Sequence, residues 1–302
     1  MCVDKLHDSA AHSGSITVIH AGTGENRSNW EPFNMAHQGR YSTTRNLYKN
    51  LLGNKICFEE INHDLQLAFR YSWSSSAEYG FVRHSEIENL AGTTINLDLL
   101  DGLQNILPAG TPRQSQLSAS NLVDAYKWTE LNEDTGLAVY TLYSLITDRA
   151  EPSESLKANT AFCLGADHPK LLISSAQLRA FREGDRLETE FHARGARGAF
   201  LAGQTLDLLP GASKDWHIVT NLEQKQNQVM DINRTLSNKL SLSAVIKDSI
   251  ESGSDRLARL MAAGDAFQST KEMNASAHHY ANVLFNTMRG GMVDDHYRIS
   301  VK

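Results

Sequence analysis

The chain has 302 residues, 41% of them apolar, and a formal net charge of −6. This length allows one large β domain, or a domain with an appendage. The acidic balance argues against binding to nucleic acid or to an anionic membrane. No apolar run approaches the roughly 20 residues that span a bilayer. The first 15 residues lack the apolar core of a secretory signal, so we expect a cytoplasmic protein.

The cysteines and histidines form no recognisable metal or disulfide motif. Cys2, Cys57 and Cys163 are far apart and lack the CxxC spacing, and we expect the last two to be buried free thiols. His278 and His279 are adjacent, so their rings would point about 100° apart on a helix. We interpret the scattered histidines as satisfied residues of loops and strand ends: His20, His63, His84, His168 and His217.

Residues 1–40 are predicted to form a loose N-terminal segment that contains one short strand, Ser15–His20. The following Ala-Gly-Thr-Gly run at 21–24 resembles half of a phosphate-binding glycine loop. Its third glycine is absent and no helix start follows, so the run is interpreted as a plain turn.

Residues 55–110 contain the clearest strand pattern. Apolar and polar side chains alternate with period two from Leu65 to Trp73, which indicates a half-buried strand. The strands are predicted at 55–61, 65–73, 79–90 and 93–99. Short polar turns between them predict an antiparallel meander that forms one wall of a sheet.

Strand signals continue to about residue 222. A short helix is predicted at 121–128 and another at 175–182. Residues 136–146 are apolar at both odd and even positions, which predicts a strand buried on both faces. Further strand candidates are 158–164, 171–174, 187–193, 200–202 and 217–222. The spacing of these strands favours an antiparallel β-sandwich over residues 41–222 rather than a parallel α/β sheet.

Helical periodicity replaces strand periodicity near Asn221, which is predicted to cap a helix with Gln224. Apolar residues recur at spacings of three and four between 229 and 240. Further helices are predicted at 254–263 and 274–289. Residues 223–302 are therefore expected to form a helical linker.

Two groups of side chains are candidates for chemistry on sugars. Two carboxylates could flank a glycosidic bond. Glu86 and Glu88 share a strand face and could converge with Asp98 and Asp101, although carboxylates on a solvated sheet face are also ordinary. Aromatic rings can stack on sugars, and Tyr79 and Trp128 are the candidates, whereas Tyr71 and Trp73 belong to the inward row.

Several sequence runs resemble the N-terminal part of cellobiose-phosphorylase-type enzymes, and above all the large members related to 1,2-β-oligoglucan phosphorylases. The resemblance covers residues 40–297. Its most specific runs are Leu-Asp-Gly-Leu-Gln-Asn-Ile-Leu-Pro at 100–108 and Phe-Asn-Thr-Met-Arg-Gly-Gly at 285–291. Weaker runs are Arg45–Gly53, Ile61–Asp64, Phe69–Trp73 and Tyr79–Arg83.

The resemblance implies an N-terminal β-super-sandwich, a helical linker and then an (α/α)₆ catalytic barrel. Such enzymes are inverting phosphorylases, in which inorganic phosphate is the co-substrate, no cofactor is used, and an aspartic acid of the barrel protonates the leaving oxygen. No residue here matches that acid or the phosphate ligands. The chain stops where the barrel should begin, so we expect a truncated or split gene product.

These observations lead to three hypotheses. The first is a non-catalytic N-terminal region of a glycoside phosphorylase acting on β-glucosides or β-glucans, inactive alone, whose linker contacts a catalytic barrel or a partner chain. The second is a stand-alone carbohydrate-binding sandwich that holds a β-glucan or oligosaccharide through Tyr79 or Trp128. The third is a structural domain that docks a partner through the apolar stripes at 229–240 and 280–288. No catalytic or metal-binding residue is assigned, and neither nucleic acid nor membrane is an expected partner.

Overall fold

The computed structural model describes residues 11–24, 27–111, 113–118, 120–144, 156–238 and 242–290. Two sheets pack on each other, with helices on their outer faces, and the strand pairs in the described residues are antiparallel. The fold is therefore mainly β, a sandwich followed by a helical part, as the sequence predicted.

The strands that the structure describes are β1 (Gly14–Ala21), β2 (Ser28–Trp30), β3 (Thr43–Lys49), β4 (Ile56–Asn62), β5 (Leu67–Ser76), β6 (Gly80–Asn89), β7 (Ile95–Ile106), β8 (Lys127–Leu131), β9 (Ala138–Leu142), β10 (Lys157–Leu164), β11 (Lys170–Ser174), β12 (His192–Arg194), β13 (Gly198–Leu208) and β14 (Ser213–Lys225). The helices are α1 (Arg113–Ser118), α2 (Ser120–Ala125), α3 (Leu178–Glu183), α4 (Gln226–Ser237), α5 (Leu242–Ala263) and α6 (Met273–Met288). A 3₁₀ turn spans Met35–His37.

The strands divide into a five-stranded sheet A and a nine-stranded sheet B. Sheet A has the order β11-β13-β7-β1-β2, and sheet B has the order β12-β8-β9-β10-β14-β6-β5-β4-β3. In sheet A, β1 lies between β7 and β2, and its Val18 and Ile19 are fully buried. Residues 14–21 are thus part of the sandwich.

The predicted four-strand meander is correct for three strands and wrong for the fourth. β4, β5 and β6 pair in sequence in sheet B, but β7 pairs with β1 and β13 in sheet A. The chain crosses between the sheets after Asn89, whose side-chain amide donates hydrogen bonds to the carbonyls of Thr93 and Leu208. β7 can occupy an internal position because it is apolar on both faces, with Leu99 toward the core and Leu100 toward α3.

The main core lies between the two sheets. The predicted inward row of β5 is confirmed, because Leu67 and Phe69 are fully buried there and Tyr71 and Trp73 pack against the same cluster. Trp216 of β14 lies beside Phe69, with ring centroids 6.4 Å apart. Sheet A supplies the opposing apolar side chains: Ile19, Leu97, Leu99, Phe200 and Ala202.

Helices cover one part of the outer face of sheet B. Val82, Phe162 and Val219 project outward and pack against Leu236 of α4 and Ile246 of α5. β9 is buried on both faces, as predicted: Tyr140 lies in the inter-sheet core, and Val139 packs against the cluster under the helices. The polar remainder of this outer face is left open beside α5.

Several predicted element boundaries are wrong. Trp128 was expected in a helix, but α2 ends at Ala125 and Trp128 lies in β8. Asn221 does not cap a helix, because β14 continues through it to Lys225 and its side chain donates to the carbonyl of Glu78. The cap is at Lys225, whose backbone N–H donates to Gln228 Oε1 at 2.9 Å.

The helical part is longer than its periodicity predicted. The helix expected at 254–263 begins at Leu242, whereas α6 closely matches the prediction of 274–289. No helix in the described part of the chain is long and apolar enough to cross a bilayer.

Candidate functional site

Trp128 lies on the outer face of sheet B between two other side chains. Its ring stacks on Tyr143 with centroids 6.0 Å apart and planes inclined by 16°. The Arg194 guanidinium lies 3.7 Å from the Trp128 ring centroid, from the neighbouring strand β12. Tyr143 is 76% exposed. The aromatic ring open to a ligand here is therefore that of Tyr143, which was not among the candidates from the sequence. The Trp128 ring stacks against it.

Tyr79 lies just before β6, where the sheet meets α4. It packs against the apolar cluster between sheet B and the helices, as Val229 and Ile232 of α4 also do, and burial raises the pKa of its hydroxyl above the usual value. A cavity of ≈ 220 Å³ opens beside it. This volume is below the about 300–1,000 Å³ of pockets for drug-sized ligands. The lining is rich in amides, hydroxyls and carboxylates, which can bind the hydroxyls of a small polar ligand: Glu78, Thr160, Asn221, Gln224, Gln228 and Asp231.

Tyr79 and Trp128 do not form one site. Strands β9, β10 and β14 lie between β8 and β6 in sheet B. With neighbouring strands about 4.8 Å apart, the two aromatic positions are separated by about 19 Å. Each is therefore a separate candidate for contact with a sugar.

The four candidate carboxylates do not converge. Glu86 and Glu88 share the outer face of sheet B, as predicted, and both lie at the guanidinium of Arg70, at 3.7 and 2.6 Å. Asp98 is on the outer face of sheet A, where it accepts hydrogen bonds from Arg27 and Thr205. The two sheets, about 10 Å apart, lie between these groups. No glycosidic bond could be flanked by both, because the acid and its partner must lie within about 5–9.5 Å.

Asp101 is fully buried between the sheets and belongs to the core. It accepts hydrogen bonds from Arg83 and Ser85 of β6, from Thr17 of β1 and from Trp216 of β14. A carboxylate enclosed in this way cannot meet a sugar. Its environment indicates a structural role.

His84 and His217 come together on the outer face of sheet B, which the sequence analysis missed. They are opposite each other on β6 and β14, with ring centroids 4.5 Å apart. Asp215 Oδ2 lies 3.1 Å from His84 Nε2. Burial, and then the nearby His84, lower the pKa of His217 to about 4. The i, i+2 spacing of Asp215 and His217 was visible in the sequence, but the register that adds His84 was not.

Other histidines agree with the interpretation as satisfied side chains. His20 is buried, and its Nε2 bonds to the Phe181 carbonyl at 2.8 Å. Burial lowers its pKa. His63 bonds to the hydroxyl of Thr44. His278 and His279 lie on α6, where His279 bonds to the carbonyl of Asp265.

The helices α5 and α6 are attached to the β3–β4 end of sheet B. Asn54 donates to Ser254, and the Tyr280 hydroxyl donates to the carbonyl of Leu52. Tyr280, Val283 and Leu284 of the predicted stripe are half-buried. Large apolar side chains remain exposed on and between the two helices: Val245, Leu260, Phe267, Met273, Phe285 and Met288.

Comparison with known proteins gives structural neighbours only. No protein-family model matches the chain, and no curated protein sequence matches it. Among solved structures, the chain is similar to a bacterial glucoamylase complexed with acarbose, with 8% identity and a TM-score of 0.46 over 83% of this chain and 32% of that one. It is also similar to a putative kojibiose phosphorylase from human microbiome, with 12% identity and a TM-score of 0.42 over 78% of this chain and 27% of that one. A galactose mutarotase-like protein from Clostridium acetobutylicum shares 8% identity at a TM-score of 0.33, over 73% of this chain and 82% of that one. The chain thus spans about a third or less of the length of the glucoamylase and of the putative kojibiose phosphorylase.

Proposed function

We propose that this chain is the non-catalytic N-terminal region of a glycoside phosphorylase that acts on β-glucosides or β-glucans. The observation that carries the proposal is the placement of the two most specific sequence runs. Residues 100–108 include the end of β7, in the middle of sheet A, and the run that starts at Phe285 closes α6. The runs thus lie in the sandwich and in the helical part, in the order that the resemblance implies.

The environments of the carboxylates support a non-catalytic role. Glu86 and Glu88 are tied to Arg70, Asp98 to Arg27 and Asp101 to Arg83. These groups lie in three different places: Glu86 and Glu88 on the outer face of sheet B, Asp98 on the outer face of sheet A, and Asp101 in the core between the sheets. No two of them from different places can act on one bond.

The exposed side of the helices supports a covering domain. Phe285 and Met288 are one turn apart on α6 and are 51% and 71% exposed. Leu260 of α5 and Phe267 after it are also exposed, at 36% and 48%. Contiguous exposed apolar side chains mark interaction sites on proteins. The catalytic barrel of the phosphorylase is the proposed occupant, whether on the same polypeptide or on another.

The direct test is reverse phosphorolysis by the chain alone, in which a glucosyl group passes from glucose 1-phosphate to a glucan acceptor and phosphate is released. The assay supplies glucose 1-phosphate with β-linked glucan acceptors and measures phosphate release, with a complete phosphorylase as the positive control. We expect no turnover, because the general acid belongs to the barrel. Clear turnover by the chain alone would contradict the proposal, and the carboxylates on the outer face of sheet B would become the first to substitute.

The exposed ring of Tyr143 favours one second candidate, a carbohydrate-binding role. A flat apolar ring suits the apolar face of a pyranose. Binding of β-glucan oligosaccharides can be measured by quenching of tryptophan fluorescence and by calorimetry. Loss of binding in Tyr143→Ala or Trp128→Ala, but not in Tyr79→Ala, would assign the site to β8. The reverse pattern would assign it to the cavity beside α4, and undiminished binding in all three would exclude both.

A further inference from the structure

Two strands of sheet B bring two imidazoles and a carboxylate together on its outer face. His84 and His217 are register partners on β6 and β14. Asp215 precedes His217 by two residues, so both side chains project from the same face of β14. One ligand atom from each of the three residues can be selected so that all lie within 4.8 Å of one another.

This spacing is close to that of a transition-metal site. Bonds of about 2.0–2.2 Å from Zn²⁺ to nitrogen or oxygen place two ligand atoms of a tetrahedral site about 3.3–3.6 Å apart. His84 Nε2 and Asp215 Oδ2 are already 3.1 Å apart. The remaining separations are at most 4.8 Å, and the register of β6 against β14 holds the two backbones in place while the side chains rotate.

We propose that His84, Asp215 and His217 bind a divalent transition-metal ion of the zinc class, which joins β6 to β14. Imidazole nitrogens suit zinc, copper and nickel, whereas calcium and magnesium prefer sets of oxygen ligands. Three protein ligands leave a coordination position for water or for another ligand. This inference rests on the three side chains and is independent of the proposed phosphorylase function.

The surroundings are suited to a cation. Glu86 is the register partner of Asp215, and Glu88 follows it on the same face. The neighbouring guanidinium of Arg70 is engaged by Glu59 and Glu88 and lies 3.7 Å from Glu86. The side chains of His84 and Asp215 are 37% and 60% exposed, so an ion can reach them from solvent.

The same contacts would also fit a surface His–Asp ion pair with a stacked second histidine. The two interpretations differ in what His217 does. In an ion pair, His217 would contribute packing only. In the proposed site, it supplies a ligand, so its loss should weaken metal binding as much as the loss of His84.

The test uses the full chain without an affinity tag, freed of metal with EDTA. Zn²⁺ is titrated by calorimetry, and Co²⁺ is titrated by visible absorption. We expect one strong site per chain and a Co²⁺ spectrum without a thiolate charge-transfer band. His84→Ala and His217→Ala should each lower the affinity at least about tenfold, and Asp215→Asn should lower it less.

His192→Ala is the matched control. His192 is an exposed histidine of sheet B whose Nδ1 lies 3.9 Å from Glu130, so it offers one imidazole and one carboxylate. We expect unchanged affinity in this variant. Because an ion that binds only the folded chain stabilises it, Zn²⁺ should also raise the Tm of the parent chain and of the control but not that of His84→Ala.

Two results would overturn the proposal. Equal Zn²⁺ affinity in the parent chain, His84→Ala and His217→Ala would place the ion elsewhere. No binding of Zn²⁺ or Co²⁺ to the parent chain would leave the cluster as a surface ion pair. All of the substituted positions are at least partly exposed, and circular dichroism of each variant separates lost binding from lost folding.

Discussion

Arg83 of β6 and Asp101 of β7 form a two-point ion pair at the centre of the sandwich, and both side chains are fully buried. The pair joins sheet B to sheet A. The Tyr71 ring lies 4.5 Å from the guanidinium carbon, and the Trp216 indole N–H donates to the carboxylate at 2.8 Å. The terminal nitrogens of Arg83 and both oxygens of Asp101 are therefore hydrogen-bonded, whereas Arg83 Nε is buried without a partner among the described residues.

Replacing Asp101 with Asn should destabilise the fold strongly. The substitution leaves the charge of Arg83 buried without its partner, which typically costs about 3–5 kcal/mol. Urea unfolding at pH 7, followed by tryptophan fluorescence, measures the change. Glu183→Gln is the control, because it breaks an ion pair with Arg179 that is fully exposed, and its midpoint should not change. Equal midpoints for the two variants would contradict the structural role of Asp101.

Gly102, inside the Leu-Asp-Gly-Leu-Gln run, is required by the close approach of β13 to β7. A Cβ at this position would clash with the Phe200 carbonyl oxygen and lie 2.9 Å from Leu201 Cα. Gly102→Ala should therefore lower the unfolding free energy by about 1–3 kcal/mol, as overpacking of cores usually does. The control is Gly92→Ala, where a Cβ would meet nothing within 4 Å. A stable Gly102→Ala variant would show that the two strands can separate freely.

The sequence predicted the local features of single strands better than it predicted which strands pair with each other. The alternation with period two from Leu65 to Trp73 correctly identified the inward row, because the face to which a side chain points is set within its own strand. The partner of β7 could not be predicted in this way, since sequence neighbours usually pair and β7 instead crosses to the other sheet. The end of β14 was misplaced because Asn221 favours helix caps in general, whereas here the pairing of β14 with β10 continues past it to Lys225.

The candidate sites show the same difference between local features, which the sequence predicted, and strand pairing, which it did not. Tyr79 and Trp128 could be selected by residue type, but their separation and the exposed position of Tyr143 depend on strand order. The cluster of His84 with His217 requires the register of β6 against β14, which no local pattern contains. Side chains that meet across strands distant in sequence are thus the part of the site that could not be predicted from the sequence.

Glu31 should make stability dependent on pH. Burial alone would raise the pKa of this carboxyl, but hydrogen bonds from Arg182 and Asn34, together with the charge of Arg182, hold it below its usual value. A carboxyl with a lowered pKa in the folded state stabilises the fold above its unfolded pKa, and that contribution is lost as the pH falls through the folded pKa.

The Glu31→Gln variant tests this dependence. The parent chain should exceed the variant in unfolding free energy at pH 7, and the difference should shrink as the pH is lowered below about 4.5. Urea unfolding of both proteins at several pH values measures it. A difference that stays constant between pH 7 and pH 3.5 would contradict the assignment.

The thiols of Cys57 and Cys163 should react slowly and at different rates. Both are free, as the sequence predicted, and both are partly buried. Burial raises the pKa of Cys163 to about 12, and burial with the nearby Glu59 raises that of Cys57. The raised pKa keeps Cys163 as the thiol at pH 8, whereas the thiolate is the reactive form.

Alkylation with iodoacetamide followed by mass spectrometry of the peptides measures these rates. Cys163 should be labelled more slowly than Cys57 in the folded chain, and the two should react at similar rates in urea. Equal labelling in the folded chain would contradict the environment described for Cys163.

The central claim is that this chain serves a phosphorylase barrel, and restoration of turnover tests it most directly. The N-terminal region of a complete enzyme of the cellobiose-phosphorylase type is removed. Phosphate release from glucose 1-phosphate is then measured for three samples: the barrel alone, the barrel with its own N-terminal region added back, and the barrel with this chain added. The account predicts that this chain raises turnover above that of the barrel alone, and that Phe285→Lys with Met288→Lys removes the gain. Activity restored by the native region but not by this chain would contradict the account.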